Sequence, residues 1–132
     1  MFLSYASTDR HRVQTLYELL RRDGIEVWLD QNELVAGEKF NTIIKDEINS
    51  CRAVVVCISE NWLKRAYAQK ELAWALERAA MYDDFLFPIN LDGCATPRRL
   101  KEEGQIYNMQ SRNKQAQLRK LIDRLRSTLV RA

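Results

Sequence analysis

Residues Ala53–Ile58 read AVVVCI, and the stretch that follows, Ser59–Leu76, reads SENWLKRAYAQKELAWAL. The first run is apolar without alternation and rich in β-branched side chains. Such a run suits a central strand buried on both faces, as in a parallel sheet with helices on either side. The second stretch opens on Ser59, a capping residue. It predicts a turn of helix at Trp62–Lys64 and a main helix over about Gln69–Met81. The apolar stripe of that helix is Ala68, Leu72, Leu76, Ala79 and Ala80. Helical neighbours lie three and four residues apart, so Tyr67, Glu71 and Trp74 share a flank. At roughly 100° per residue, that flank lies about a quarter-turn or more from the middle of the stripe. On spacing alone this is a solvated glutamate beside two boundary aromatics.

Upstream, Phe2–Tyr5 predicts a short strand running out in SYASTD, where Ser7, Thr8 and Asp9 are all good helix N-caps. A helix over about Arg10–Arg22 follows, with Val13, Leu16, Leu19 and Leu20 inward. Asp23-Gly24 ends it, glycine taking the left-handed conformation. Ile25–Leu29 is the second strand, and DQNELVAGE over Asp30–Glu38 is a loop with Gly37 as its flexible point. Phe40–Ser50 predicts a helix with Phe40, Ile43, Ile44 and Ile48 on one face. Downstream, Phe85–Asn90 is a fourth strand. Its Pro88 removes a ladder donor and argues for a place nearer an edge or at a strand end. Leu91–Gly104 reads as an irregular polar connection and Gln105–Met109 as a short fifth strand. Ser111–Val130 is a final amphipathic helix with Leu118, Leu121, Ile122, Leu125 and Leu129 inward. Strands alternating with helices imply an α/β fold: a three-layer flavodoxin-like sandwich, its central parallel sheet of about five strands covered by helices on both faces. Ligands of such sheets sit outside the carboxyl ends of the strands. That rule gathers SYASTD, DQNELVAGE, and Ser59 with its helix at one rim.

A chain of 132 residues with 46% apolar and 30% charged residues accommodates one soluble domain with one sizeable core. No apolar run approaches the ~20 residues of a membrane span. MFLSYAST lacks the basic region of a signal peptide, and a strand that starts at residue 2 suggests a domain, residues 1–132, excised from a longer protein. The three cysteines, Cys51, Cys57 and Cys94, are odd in number and form no CxxC, which points to a reduced, cytoplasmic setting. His11 is the single histidine and has no cysteine at ligand spacing, which argues against a zinc site or a Ser–His–Asp triad. From Arg98 onward ten basic residues face three acids, a net +7 that leaves −4 for residues 1–97. The bland reading is the wet face of a last helix; a nucleic-acid patch lacks aromatic interleaving. Opposite-sign surfaces also suit head-to-tail stacking of copies.

A Rossmann or P-loop protein needs a glycine-rich turn after the first strand, and SYASTD has no glycine. A phosphorylation receiver needs an aspartate at the end of the third strand, where Ile58-Ser59 stands. The residues do resemble one family. FLSYASTD is similar to box one of the Toll/interleukin-1 receptor (TIR) domain. WLDQNELVAGEKF is similar to box two with its BB loop, in the form D-x-x-x-L-x-x-G. AVVVCISENW followed by KELAWAL resembles strand C, helix C and the [KR]-E-[LI] segment of TIR domains that cleave NAD, and FLFPINLDG resembles strand D. The resemblance covers nearly the whole chain in the right order. Ala36-Gly37 stands where animal adaptors often carry a proline before the glycine, and their box three is missing. Tyr67 stands where TIR NADases often have tryptophan, and Ala6-Ser7 where some have arginine. The sequence is closer to the bacterial branch.

The resemblance implies that Glu71 is the catalytic glutamate of an NAD+ nucleosidase that uses NAD+ as substrate and needs neither cofactor nor metal. It implies that Ser4, Tyr5 and Ala6 border the nucleotide, that Tyr67 stacks on or walls the nicotinamide, and that Asp30 and Trp74 line the pocket. Each has a plainer reading: Tyr5 as strand-end packing, Asp30 as a turn residue, Trp74 as a helix-packing residue. Trp28 and Trp62 read as structural. Family members generally act as assemblies, so the BB-loop residues Leu34, Val35 and Gly37 are expected to mediate TIR–TIR contacts under a fused or separate sensor, in immune or anti-phage signalling. No membrane partner is expected. The competing reading is a TIR scaffold that does no chemistry.

Overall fold

The computed structural model describes residues 1–29, 46, 48–64, 68–82, 84–102 and 105–130. Strand β1 is Phe2–Ser4, and a 3-10 turn at Ser7–Asp9 leads into α1, Arg10–Arg22. β2 is Trp28–Leu29, residues 48–50 are helical, and β3 is Val54–Ile58. Then come α2, Glu60–Leu63; α3, Ala68–Ala79; β4, Leu86–Asn90; α4, Arg98–Lys101; β5, Tyr107–Asn108; and α5, Lys114–Val130. Every pairing is parallel and the sheet order is β2-β1-β3-β4-β5. That is the flavodoxin-like order, whose switch point lies between β1 and β3.

The register explains why AVVVCI does not alternate. Phe2, Val54 and Leu86 pair across three strands, as do Leu3, Val55 and Phe87. The first row joins Ile48, Trp62, Leu72, Ala75, Leu76 and Leu100 in one core cluster. The second joins Val13, Leu16 and Leu20 of α1 and Leu121, Ile122 and Leu125 of α5 in the other. Both faces of β3 are therefore buried, and apolar side chains are favoured at successive positions. Among the described residues no helix is long and apolar enough to cross a membrane.

Several boundaries differ from expectation for local reasons. Strand β2 begins at Trp28 rather than Ile25 because Ile25 belongs to the end of α1. Its N–H donates to Leu20 O (3.0 Å) and the N–H of Gly24 to Arg21 O (3.0 Å). With Gly24 at φ 77°, this is a Schellman motif. Strand β4 is one strand in from the edge, and Pro88 sits there without cost to the ladder. Leu91 N–H bonds toward β3 while the carbonyl of Asn90 receives Met109 N–H from the β5 side. By alternation, Pro88 turns its nitrogen to the β5 side, where pairing begins only at Ile89. In α3 the stripe is Leu72, Ala75 and Leu76, with Ala79 partly buried; Ala80 lies past the last helical turn and is exposed. The start of the connection after β4 is held by side-chain bonds from Asn90. Asn90 Nδ2 donates to Cys94 O (2.8 Å) and Thr96 Oγ1 (3.1 Å), its Oδ1 accepts from Gly93 N (2.7 Å), and α4 sinks Leu100 into the core. Phe40, Ile43 and Ile44 lie outside the described residues; Ile48 is buried.

The basic last helix is more than a wet face. Arg124 bonds Asp84 (2.5 Å) and Tyr107 Oη (2.9 Å) and lies over the Phe87 ring, 5.4 Å from its centroid. Arg126 pairs with Asp23 at the end of α1. These cations tie α5 to β4, β5 and α1.

Candidate active site at the carboxyl rim

Strand alternation divides the box-one residues. Ser4 and Ala6 follow Phe2 to the face that carries α2 and α3; Tyr5 follows Leu3 to the α1–α5 face. Tyr5 is therefore a core residue of the opposite layer, only 6% exposed. Ser4 stands on the α3 side, and its hydroxyl accepts the indole N–H of Trp62 (2.9 Å), with both side chains buried. Ala6 is buried beside them. Trp62, read from the sequence as structural, fills the core beneath the rim.

A polar network joins the loop after β1 to the segment after β3. Ser59 caps α2: its Oγ accepts the Trp62 amide (3.0 Å). The same hydroxyl donates to Asp9 Oδ2, and Asn61 Nδ2 donates to Asp9 Oδ1 (3.0 Å). Asp9 is 2% exposed and Ser59 is fully buried. The sequence offers Asp9 as an N-cap for α1. In the structure it occupies that position but makes no side-chain cap bond, because both its oxygens turn inward to Ser59 and Asn61. Its own N–H is spent on Ala6 O (2.8 Å).

A second carboxylate fastens the other flank. Asp92, after β4, accepts from Glu60 N (3.0 Å) through Oδ2 and from Cys94 N (3.0 Å) through Oδ1. Partial burial works to raise its pKa, but these donors, the Cys94 thiol and the Arg12 charge outweigh it and hold the carboxyl below its usual range. The Cys94 thiol is pushed up to about 11 by burial and then by Asp92. Cys57 is pushed higher still, by complete burial and the nearby Asp9 charge, so it is inert as a nucleophile.

Glu71 lies in the first turn of α3, whose buried residues Leu72, Ala75 and Leu76 share a core cluster with Trp62 and Ala6. Trp74 is half-buried and packs against that cluster, the plainer of its two sequence readings. Asp30, Leu34, Val35, Gly37 and Tyr67 lie outside the described residues. The structure thus brings Ser4, Ala6, Trp74 and the Glu71 helix to one layer and separates Tyr5 from them. The sequence reading missed Asp9, Asn61 and Asp92 as the polar frame. A capping residue and a buried acceptor are the same residue types, and only the fold shows which is which.

The family described as TIR domain matches residues 1–122. This chain belongs to the TIR domain family. Among curated relatives, the 2′ cyclic ADP-D-ribose synthase BtTIR of Bacteroides thetaiotaomicron is 32% identical over 89 residues, 67% of the TIR chain and 31% of the relative. The NAD(+) hydrolase TcpC of Escherichia coli is 31% identical over 84 residues, 63% of the TIR chain and 27% of the relative. The matched span is thus under a third of either relative's length. The TIR domain of the Toll-related receptor TRR-2 from Hydra magnipapillata shares the fold at a TM-score of 0.78, with 24% identity over 95% of this chain and 96% of that one.

Proposed function

We propose that this TIR domain cleaves the bond between nicotinamide and ribose in NAD+, giving nicotinamide plus ADP-ribose or a cyclic ADP-ribose species. The observation that carries this reading is the Lys70-Glu71-Leu72 segment in the first turn of α3, on the layer that packs beside the switch point of the sheet. Two relatives named for making cyclic ADP-ribose or hydrolysing NAD+ support it. Nicotinamide carries a positive charge while bound and leaves neutral, so its departure needs no general acid. The ribose left behind is an oxocarbenium-like cation that one carboxylate stabilises. Glu71 supplies that carboxylate. Tyr67 walls the nicotinamide, Asp30 and Trp74 border the pocket, and Ser4 and Ala6 support it from the strand end, while Tyr5 packs on the opposite face of the sheet. Copies of the domain assemble through the loop carrying Leu34, Val35 and Gly37, so clustering by a sensor switches the reaction on. An immune or anti-phage signal fits that logic.

The test is nicotinamide release from NAD+, followed by chromatography, with the protein dilute, concentrated, and forced together through a fused oligomer. Release that climbs with clustering supports the proposal. No release even from the forced assembly overturns it, leaving a TIR–TIR scaffold as the function.

A further inference from the structure

Asp9 has no assigned role, yet it is an almost fully buried carboxylate at the switch point whose bonds run away from its own helix. Both oxygens hold the segment after β3: Ser59 by its hydroxyl, Asn61 by its amide. Ser59 passes the constraint on, because its Oγ also receives the Trp62 amide. Trp62 is then fixed at its other end by Ser4. The indole, fully buried, shares its core cluster with Leu72, Ala75 and Leu76, the residues that dock α3. Glu71 is the residue next to Leu72.

We propose that Asp9 is a positioning residue for the reaction: through Ser59, Asn61 and Trp62 it sets where α3 sits, and so where Glu71 meets the ribose. Its kinetic half rests on the NAD+-cleaving reading above; its structural half does not. A buried acceptor serving two donors is the right device for this. Losing it leaves the buried Ser59 hydroxyl without its acceptor and frees the exposed Asn61 amide to turn to water, so the segment after β3 loses both of its ties to the loop after β1. A shift of even 1 Å at a reacting group costs about 100-fold in rate.

The experiment uses three forms of the chain: Asp9→Ala, Asp9→Asn, and the exchanged pair Asp9→Asn with Asn61→Asp, which restores a carboxylate–amide bond with its polarity reversed. Amide hydrogen exchange is read across residues 59–64 and 68–76. The expected result is faster exchange there in Asp9→Ala, no change in β1, β3 and β4, an intermediate effect in Asp9→Asn, and restoration in the exchanged pair. In clustered protein, kcat for nicotinamide release falls about 10- to 100-fold in Asp9→Ala, with KM kept within about threefold, and recovers in the exchanged pair. Where the alanine form does not fold, Asp9→Asn and the exchanged pair carry the comparison. Unchanged exchange over residues 59–76, or loosening spread evenly through the sheet, overturns the proposal. So does a kcat that stays at the wild-type value while those segments loosen. If wild-type protein releases no nicotinamide, the exchange pattern alone decides whether Asp9 holds α3.

Discussion

At the scale of single residues, the rim is held by groups that cannot be replaced without leaving a partner stranded. Ser4→Ala removes the acceptor of a buried indole N–H, a loss of about 1–3 kcal/mol. The expected result is a thermal midpoint lower by roughly 3–10 °C, read by calorimetry. Asp92 gives the molecule an acid-sensitive point. Its folded pKa lies below the ordinary value, so the unfolded chain binds the proton more readily. The stability it contributes is present above the usual carboxylate range, about pH 4, and is lost as pH falls further. Urea midpoints measured from pH 6 to pH 3 should decline less steeply in Asp92→Asn than in the wild type. Much of this scale was hidden in the sequence. Trp62 could be read as structural because a large apolar side chain beside a buried strand has few other places to go. Asp9 could not, because its partners Ser59 and Asn61 lie fifty and fifty-two residues away, and its local context satisfies a capping rule that the fold does not use.

At the scale of elements, the periodic signals were legible and the ends were not. Helix α1 runs Arg10–Arg22 as its inward leucines and Asp23-Gly24 foretell. Gly24 is needed for its backbone, not for space. A Cβ there meets nothing within 4 Å, yet φ is 77°. Gly24→Ala should therefore cost about 1–2 kcal/mol in chemical denaturation, with no change in the slope of the transition. Helix α5 was legible from Leu121, Ile122 and Leu125, all buried against α1 and the sheet. Leu125→Ala, at a fully buried site, should cost about 2–5 kcal/mol. The solvated-face reading of that helix holds for Lys114, Arg119 and Lys120, which are exposed, but not for Arg124, because charge alone does not reveal that it reaches Asp84 and Tyr107. The short β2 and β5 were hardest to bound: two-residue strands carry no alternation, and Ile25 looks like strand while serving the end of a helix.

At the scale of the whole molecule, the order β2-β1-β3-β4-β5 puts the loops after β1 and β3 side by side at the switch point. The alternation of elements was enough to read a doubly wound parallel sheet with helices on both faces, but the strand order itself is seen only in the fold. It was not enough to assign each box-one residue, since the division of Ser4 and Ala6 from Tyr5 depends on strand register. The proposed reaction turns on one group: the carboxylate of Glu71, delivered by this scaffold, is expected to stabilise the cation formed when the nicotinamide–ribose bond of NAD+ breaks. The most direct measurement is the rate of nicotinamide release by Glu71→Gln against the wild type, both in the same forced assembly and both checked for an unchanged thermal midpoint. The amide, isosteric but uncharged, is expected to lower the rate by at least about 100-fold. A Glu71→Gln protein that releases nicotinamide as fast as the wild type would contradict it.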